Sequence, residues 1–284
     1  MKKDTVRRPY VAGTFYAGDP ENLKKQIEGC FLHRLGPQTL PRVNVAGERR
    51  ILGLVSPHAG YMYSGPVAAH GFLDLATDGR PDLFIIIGPN HSGVGSSISV
   101  MSTGEWETPL GRVRIDEDIA KEIIKNSEYA SEDDLGHTYE HSVEVQIPFL
   151  QYIYGSFEFV PITMLLQTLS AARDLGKAIS SAVKGLNCVI IASTDFTHYE
   201  PHNVAMDKDA QAISAILALD ERELFSKVDK FRISMCGYGP VAAMLVAVKN
   251  MGAKGAKLLK YATSGDITGD LGRVVGYASI KIFK

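Results

Sequence analysis

The sequence predicts an α/β domain with a mostly parallel central sheet flanked by helices, and three observations carry that reading. Short apolar runs rich in β-branched residues recur at 51–55, 83–87, 157–162 and 188–192. They are too short for helices and lack the strict polar alternation of a half-exposed strand, so they read as strands buried on both faces. Helical patterns lie between them, and the order strand, helix, strand implies parallel pairing through right-handed crossovers. The alternation continues to the C-terminus with no low-complexity tract and no repeat at solenoid period, so residues 1–284 read as one domain.

Taken in order, the opening MKKDTVRRPYVAG lacks the apolar stretch of a secretory signal. A helix is expected over 20–35. The polar stretch 36–50, with Pro37, Pro41 and Gly47, reads as a loop inside the domain rather than a linker. Further helices are expected over 65–75, 116–126, 142–154, 170–184, 207–218 and 239–250, from their apolar spacing and their start and stop signals. The closing segment 273–283 alternates and is expected to be an edge strand.

Charge and composition remove several classes of function. With 30 Lys+Arg against 32 Asp+Glu the chain has no basic field for a nucleic acid or an anionic membrane. No apolar run approaches the roughly 18 residues that span a bilayer. A soluble, cytoplasmic protein is the expectation, with neither nucleic acid nor membrane as partner. Cys30, Cys188 and Cys236 are odd in number and widely spaced, a poor disulfide framework that leaves room for one thiol with a chemical task.

Three of the expected strands run directly into polar clusters. ILGLVSPHAGYMYSG brings His58, LFIIIGPNHSG brings His91, and VIIASTDFTHYEPH brings Asp195, His198 and His202. Loops at the C-terminal ends of parallel strands line one crevice, so these residues are expected to converge. A single loop histidine is usually a surface or turn residue; three at equivalent positions point to a site. Neutral imidazoles and a carboxylate are ligands for a divalent transition metal. His58 and His91 are the first choices, with Asp195 or Cys236 to complete the set. Cys236, in ISMCGYGP, precedes an expected helix start that favours a thiolate, so it reads as a ligand or a nucleophile. Cys30, Cys188, His33 and His70 are assigned structural roles.

HTYEHSVEVQIPFL contains the H-x-x-E-H spacing of one zinc-peptidase class at His137, Glu140 and His141. Gly136 before it and Pro148 after it deny it the long helix that chemistry requires. His141 and Glu144 read either as groups reaching the crevice or as the solvated start of a helix. Tyr61 and Tyr63 are candidates for a substrate wall, and Trp106 reads as packing. No G-x-S-x-G elbow, phosphate loop or dinucleotide fingerprint is present; GDITGDLG follows a strand-like stretch but matches none of them.

PHAGYMYSG, GPNHSG, EHSVEVQIPFL, STDFTHY and MCGYGP, in this order and flanked by RRPYVAGTFYAGDPENL and TSGDITGD, resemble the motif series of the Memo family over essentially the full chain. The resemblance implies a fold like that of the class III, LigB-type nonheme iron extradiol dioxygenases. It implies that His58, His91 and Cys236 match the family's metal positions, with iron or copper as the metal. Asp195 and His198 match neighbouring pocket positions that bind metal or act as acid and base, His198 standing where the dioxygenases have their catalytic histidine. Cys236 departs from the dioxygenase pattern, which has a carboxylate there. Prokaryotic members are grouped with a radical-SAM partner in the AmmeMemoRadiSam system, and animal members are described as adaptors for phosphotyrosine peptides.

The resulting expectation is a metal-binding pocket with redox or dioxygenase-like chemistry on a small molecule. In it His198 moves a proton, Asp195 orients it, and Tyr61, Tyr63, His141 and Glu144 line the pocket. The alternatives are a binding module that holds a peptide or partner protein in the same crevice, and a metal-dependent hydrolase.

Overall fold

The computed structural model describes residues 5–284. In chain order its elements are β1 (Val6–Arg7), α1 (Pro20–Leu32), β2 (Ile51–Ser56), α2 (Tyr61–Asp78), β3 (Leu83–Pro89), β4 (Ile98–Val100), β5 (Glu105–Thr108), β6 (Gly111–Ile115), α3 (Glu117–Lys125), β7 (Ala130–Glu132) and α4 (Leu135–Thr138). A single 3-10 turn, Glu144–Gln146, leads into α5 (Ile147–Tyr154). There follow β8 (Glu158–Met164), α6 (Leu169–Ala182), β9 (Cys188–Ser193), β10 (His198–Glu200), α7 (His202–Leu217), α8 (Glu221–Lys230), α9 (Tyr238–Asn250), β11 (Gly255–Thr263), α10 (Ser264–Thr268) and β12 (Val274–Phe283).

The chain forms a mixed α/β architecture around one large sheet, in the order β1-β5-β6-β8-β3-β9-β2-β12-β10. Its centre, β8-β3-β9-β2, is the four expected strands paired in parallel. Every residue of β2, β3 and β9 is buried, which is why these runs show no polar alternation. Helices cover both faces. A Cβ on Gly53 would meet Met244 and Val248 of α9, whereas a Cβ on Gly71 of α2 would meet Leu54. Residues 53 and 54 point to opposite faces of β2, so α9 and α2 pack on opposite sides of the sheet. On the α9 side, α6 comes so close that a Cβ on Gly176 would lie 2.5 Å from the Ala243 carbonyl oxygen.

The helix starts follow the capping residues. Asp19 accepts from Asn22 N ahead of α1, with Pro20 in the first turn. Asp116, Thr168 and Asp220 do the same for α3, α6 and α8. The loop expected over 36–50 contains no helix or strand.

The structure corrects the outline in three places. β12 is not an edge strand: it bonds to β11 on one side, and to β2 and, nearer its start, to β10 on the other. Its alternation is only partial, because α2 and α7 cover it and most of its residues are buried. The helix expected over 142–154 begins late; Pro148 sits in the first turn of α5, and the residues before it form only the 3-10 turn. Finally, β1, α4, α8, β10, α10 and the short strands β4 to β7 lie outside the expected elements. The strand-like stretch ahead of GDITGDLG is the long, half-buried strand β11.

Candidate metal centre

Because β2, β3 and β9 are parallel, the residues after their C-terminal ends arrive at one edge of the sheet. They meet in a cavity of about 740 Å³ lined by His58, His91, His141, Asp195 and His198, among others. The ligand atoms of His58, His91 and His141 all lie within 4.8 Å of one another. The rings pack together: His91 and His141 stack at 4.8 Å, and His58 meets them edge-on at 5.2 and 5.4 Å.

The hydrogen bonds behind the rings decide which nitrogens are free. Ser193 Oγ donates its only proton to the Ser142 carbonyl at 2.6 Å and accepts from Gln146 Nε2 at 2.9 Å. It therefore meets His58 Nδ1 (2.8 Å) as an acceptor, and His58 is the Nδ1–H tautomer with the Nε2 lone pair outward. His91 Nδ1 lies 3.0 Å from the Glu140 carboxylate, which likewise turns Nε2 to the cavity. The same carboxylate accepts from the backbone N–H groups of His91, His141 and Ser142. Ligating histidines in metal sites are held in this way, by a second group on the far nitrogen.

Electrostatics act differently on the individual imidazoles, and keep His58 in the neutral form a metal requires. Burial, reinforced by the charges His141, His91 and His198 would carry, holds His58 well below the ordinary histidine range, so it is neutral. Burial opposes ionisation of Glu140, but its hydrogen bond to His91 and the neighbouring imidazoles outweigh this and bring it down to about 2. The pairing works in the other direction on His91: burial lowers it, and the Glu140 hydrogen bond and charge raise it further than that.

Cys236 stands beside His58, with Sγ 3.2 Å from Nε2. The sulfur also receives the Asp195 N–H at 3.2 Å. Burial first, and Asp195 second, push its pKa up, so the side chain is a thiol, with His58 Nε2 and the Asp195 carbonyl (3.5 Å) as the acceptors within its reach. Asp195 accepts from the His58 backbone N–H at 2.8 Å, and burial raises its carboxyl to about 6. His198 is oriented by a different group from the one expected. Its Nδ1 lies 2.9 Å from the Ser234 carbonyl and its backbone N–H bonds Ser234 Oγ, so Ser234, not Asp195, sets the ring and leaves Nε2 free.

Tyr63 lines the cavity as expected, whereas Tyr61 and Glu144 do not. Tyr61 is buried with its hydroxyl on the Val145 carbonyl at 2.7 Å, because it starts α2 on the face turned to the core. Glu144 is fully buried on the opposite side of the 3-10 turn. It pairs with Arg7 and accepts from Tyr16 OH (2.6 Å), Tyr10 N (2.8 Å) and Val11 N (3.0 Å). It thus clamps the N-terminal segment, which in turn lays Phe15 against His141, ring centres 4.8 Å apart. Trp106 is buried packing, as read. His137 of the H-x-x-E-H spacing lies in the interior against Trp106, while Glu140 and His141 reach the site, so the three do not act together. His202 bonds Thr263 Oγ1 and is not among the lining residues.

Sequence reasoning missed the outer wall of the cavity: Phe15, Tyr199, Arg273 and Tyr277. Tyr199 has the one visible device. Pairing between β10 and β12 slips between His198 and Glu200, and Tyr199 takes φ +60 there, a bulge that turns its ring to the cavity mouth.

The family model described as Memo-like protein matches residues 7–281 of this sequence. The chain belongs to the Memo-like family. It is 52% identical to a MEMO1 family protein of Methanopyrus kandleri, over 96% of this chain and 98% of that one. It is 49% identical to one of Methanothermobacter thermautotrophicus, over 97% and 99%. Among solved structures, an uncharacterised protein of Escherichia coli K12 matches with a TM-score of 0.51 at 12% identity, over 81% of this Memo-like chain and 99% of that one, a likeness of fold alone. No helix among the described residues is long and apolar enough to cross a membrane.

Proposed function

We propose that this Memo-like chain is a cytoplasmic metalloprotein, with a redox or dioxygenase-like reaction on a small molecule carried out in the cavity of His58, His91 and His141. The observation that carries the reading is the grouping of these three imidazoles with the far nitrogens of His58 and His91 already committed to Ser193 and Glu140. The donor set fits iron or copper, because imidazole nitrogen suits both, and Cys236 is at hand as a softer fourth donor. A metal bound here supplies Lewis acidity and open positions for oxygen or substrate. His198, fixed by Ser234, accepts and returns a proton at Nε2. The Asp195 carboxylate ties the loop after β9 to the loop after β2, so it holds the spacing of His58 and His198.

Elemental analysis of protein purified without oxygen and reconstituted with Fe(II) or copper is the direct check. About one metal per chain is expected, lost on His58→Ala; wild-type protein that stays metal-free, or binds no better than that variant, sinks the proposal. Glu140→Gln is expected to fold but to hold the metal about 10–100-fold more weakly, because its amide cannot serve all the donors that converge on the carboxylate. An unchanged metal affinity in a competition titration would remove Glu140 from this role.

A further inference from the structure

Of the three imidazoles His58 is enclosed, His141 half-buried and His91 exposed, and the rim of the cavity beyond them carries a different chemistry. Arg273, just before β12, is the one lysine or arginine among the described lining residues. Its guanidinium lies over the Tyr199 ring, 5.6 Å from the ring centre, and makes no ion pair or hydrogen bond among the described residues. Its N–H donors are therefore left for solvent or a ligand. The ring beneath it is held in place by the bulge and the positive φ of Tyr199, so the backbone itself builds the perch. Phe15, Tyr63 and Tyr277 contribute aromatic surface to the same cavity.

We infer that the cavity takes a small planar molecule bearing one carboxylate, with Arg273 gripping the carboxylate and the rest of the molecule lying against the aromatic wall toward the imidazoles. The inference deepens the metal-centre reading by naming its substrate class, and rests on that reading for the reaction, not for the grip. A single guanidinium offers one planar fork and one positive charge, which match the two oxygens and one charge of a carboxylate. A dianionic phosphate suits the site less well, because Asp195 and Asp270 share the cavity. At about 740 Å³ the volume is that of a small-molecule site.

The test is ligand-observed NMR titration of benzoate, benzamide and phenyl phosphate into metal-free protein, using wild type, Arg273→Gln and Arg273→Lys, with circular dichroism to verify folding. Benzoate is expected to bind about tenfold more tightly than the neutral benzamide and more tightly than phenyl phosphate, a preference lost in Arg273→Gln and kept in part by Arg273→Lys. Equal binding of benzoate and benzamide, a preference for phenyl phosphate, a preference that survives Arg273→Gln, or no benzoate binding up to its solubility limit overturns the inference. Because the titration uses metal-free protein, a chain that never takes up metal still reports on Arg273. A chain that binds metal but shows no benzoate preference refutes the carboxylate grip alone.

Discussion

Replacing Glu144 by alanine is expected to destabilise the fold by about 3–5 kcal/mol, the range for removing one partner of a buried ion pair. The loss is large because Arg7 is itself buried and would keep its charge without a counter-ion, while Tyr16 OH and the N–H groups of Tyr10 and Val11 would lose their acceptor. The guanidinium would retain only the carbonyls of His137 and Glu140. Urea unfolding of the two proteins measures the difference directly, and a change below about 1 kcal/mol would show that the clamp carries no strain of desolvated charge. The double variant Arg7→Met with Glu144→Met is expected to recover part of the loss, since the buried charge goes with the carboxylate while Tyr16 OH and the two backbone donors stay unpaired. The consequence reaches the site: freeing the N-terminal segment frees Phe15 from His141, so limited proteolysis near residues 8–16 should accelerate together with the fall in stability.

His137 makes the second large prediction, on acid stability. Its Nε2 lies 3.1 Å from the Ser99 carbonyl, its Nδ1 is buried with no partner, and Arg7 stands close. Burial, and then the Arg7 charge, bring its pKa down to about 4, against about 6.5 in the unfolded chain. The unfolded state therefore takes up a proton that the folded state refuses. The stability contribution is fully present above pH 6.5 and is lost as the pH falls toward 4, by about 3 kcal/mol in total. Urea unfolding at a series of pH values should show it as one proton's share of the slope over that window, beside the shares of His58 and His141, which are also held down. His137→Gln, which keeps an N–H for Ser99, should flatten the slope by that one proton. Identical pH dependence in the variant and the wild type would mean that His137 is protonated in the folded state.

What could be read from the sequence follows from where each signal resides. The central strands and the loops that carry His58, His91, Asp195 and His198 are local: each is an apolar run followed by polar residues, and parallel pairing brings their ends together. Glu144 reads as a pocket group or a solvated first-turn acid because its counter-ion lies 137 positions away, and no local pattern marks a buried pair formed across that distance. Tyr61 and Tyr63 show the same limit. Both stand beside His58 in sequence, but the start of α2 turns one into the core and the other to the cavity. β12 reads as an edge strand because two of its partners, β10 and β11, are short or only half-buried and give no strong pattern of their own. Arg273 and Tyr199 come together only through the bulge between β10 and β12, a feature of pairing rather than of composition.

Trp106 is the only tryptophan in the chain. The Arg7 guanidinium lies over its ring at 4.3 Å, and the His137 imidazole meets it edge-on with ring centres 5.6 Å apart. The protein thus carries a built-in optical reporter at the junction of its two most sensitive contacts. Release of Arg7 would expose the indole to a more polar setting and redden its emission, whereas protonation of His137 would quench it without moving its wavelength. One fluorescence titration can therefore separate the opening of the N-terminal clamp from the charging of the buried imidazole, with no label attached.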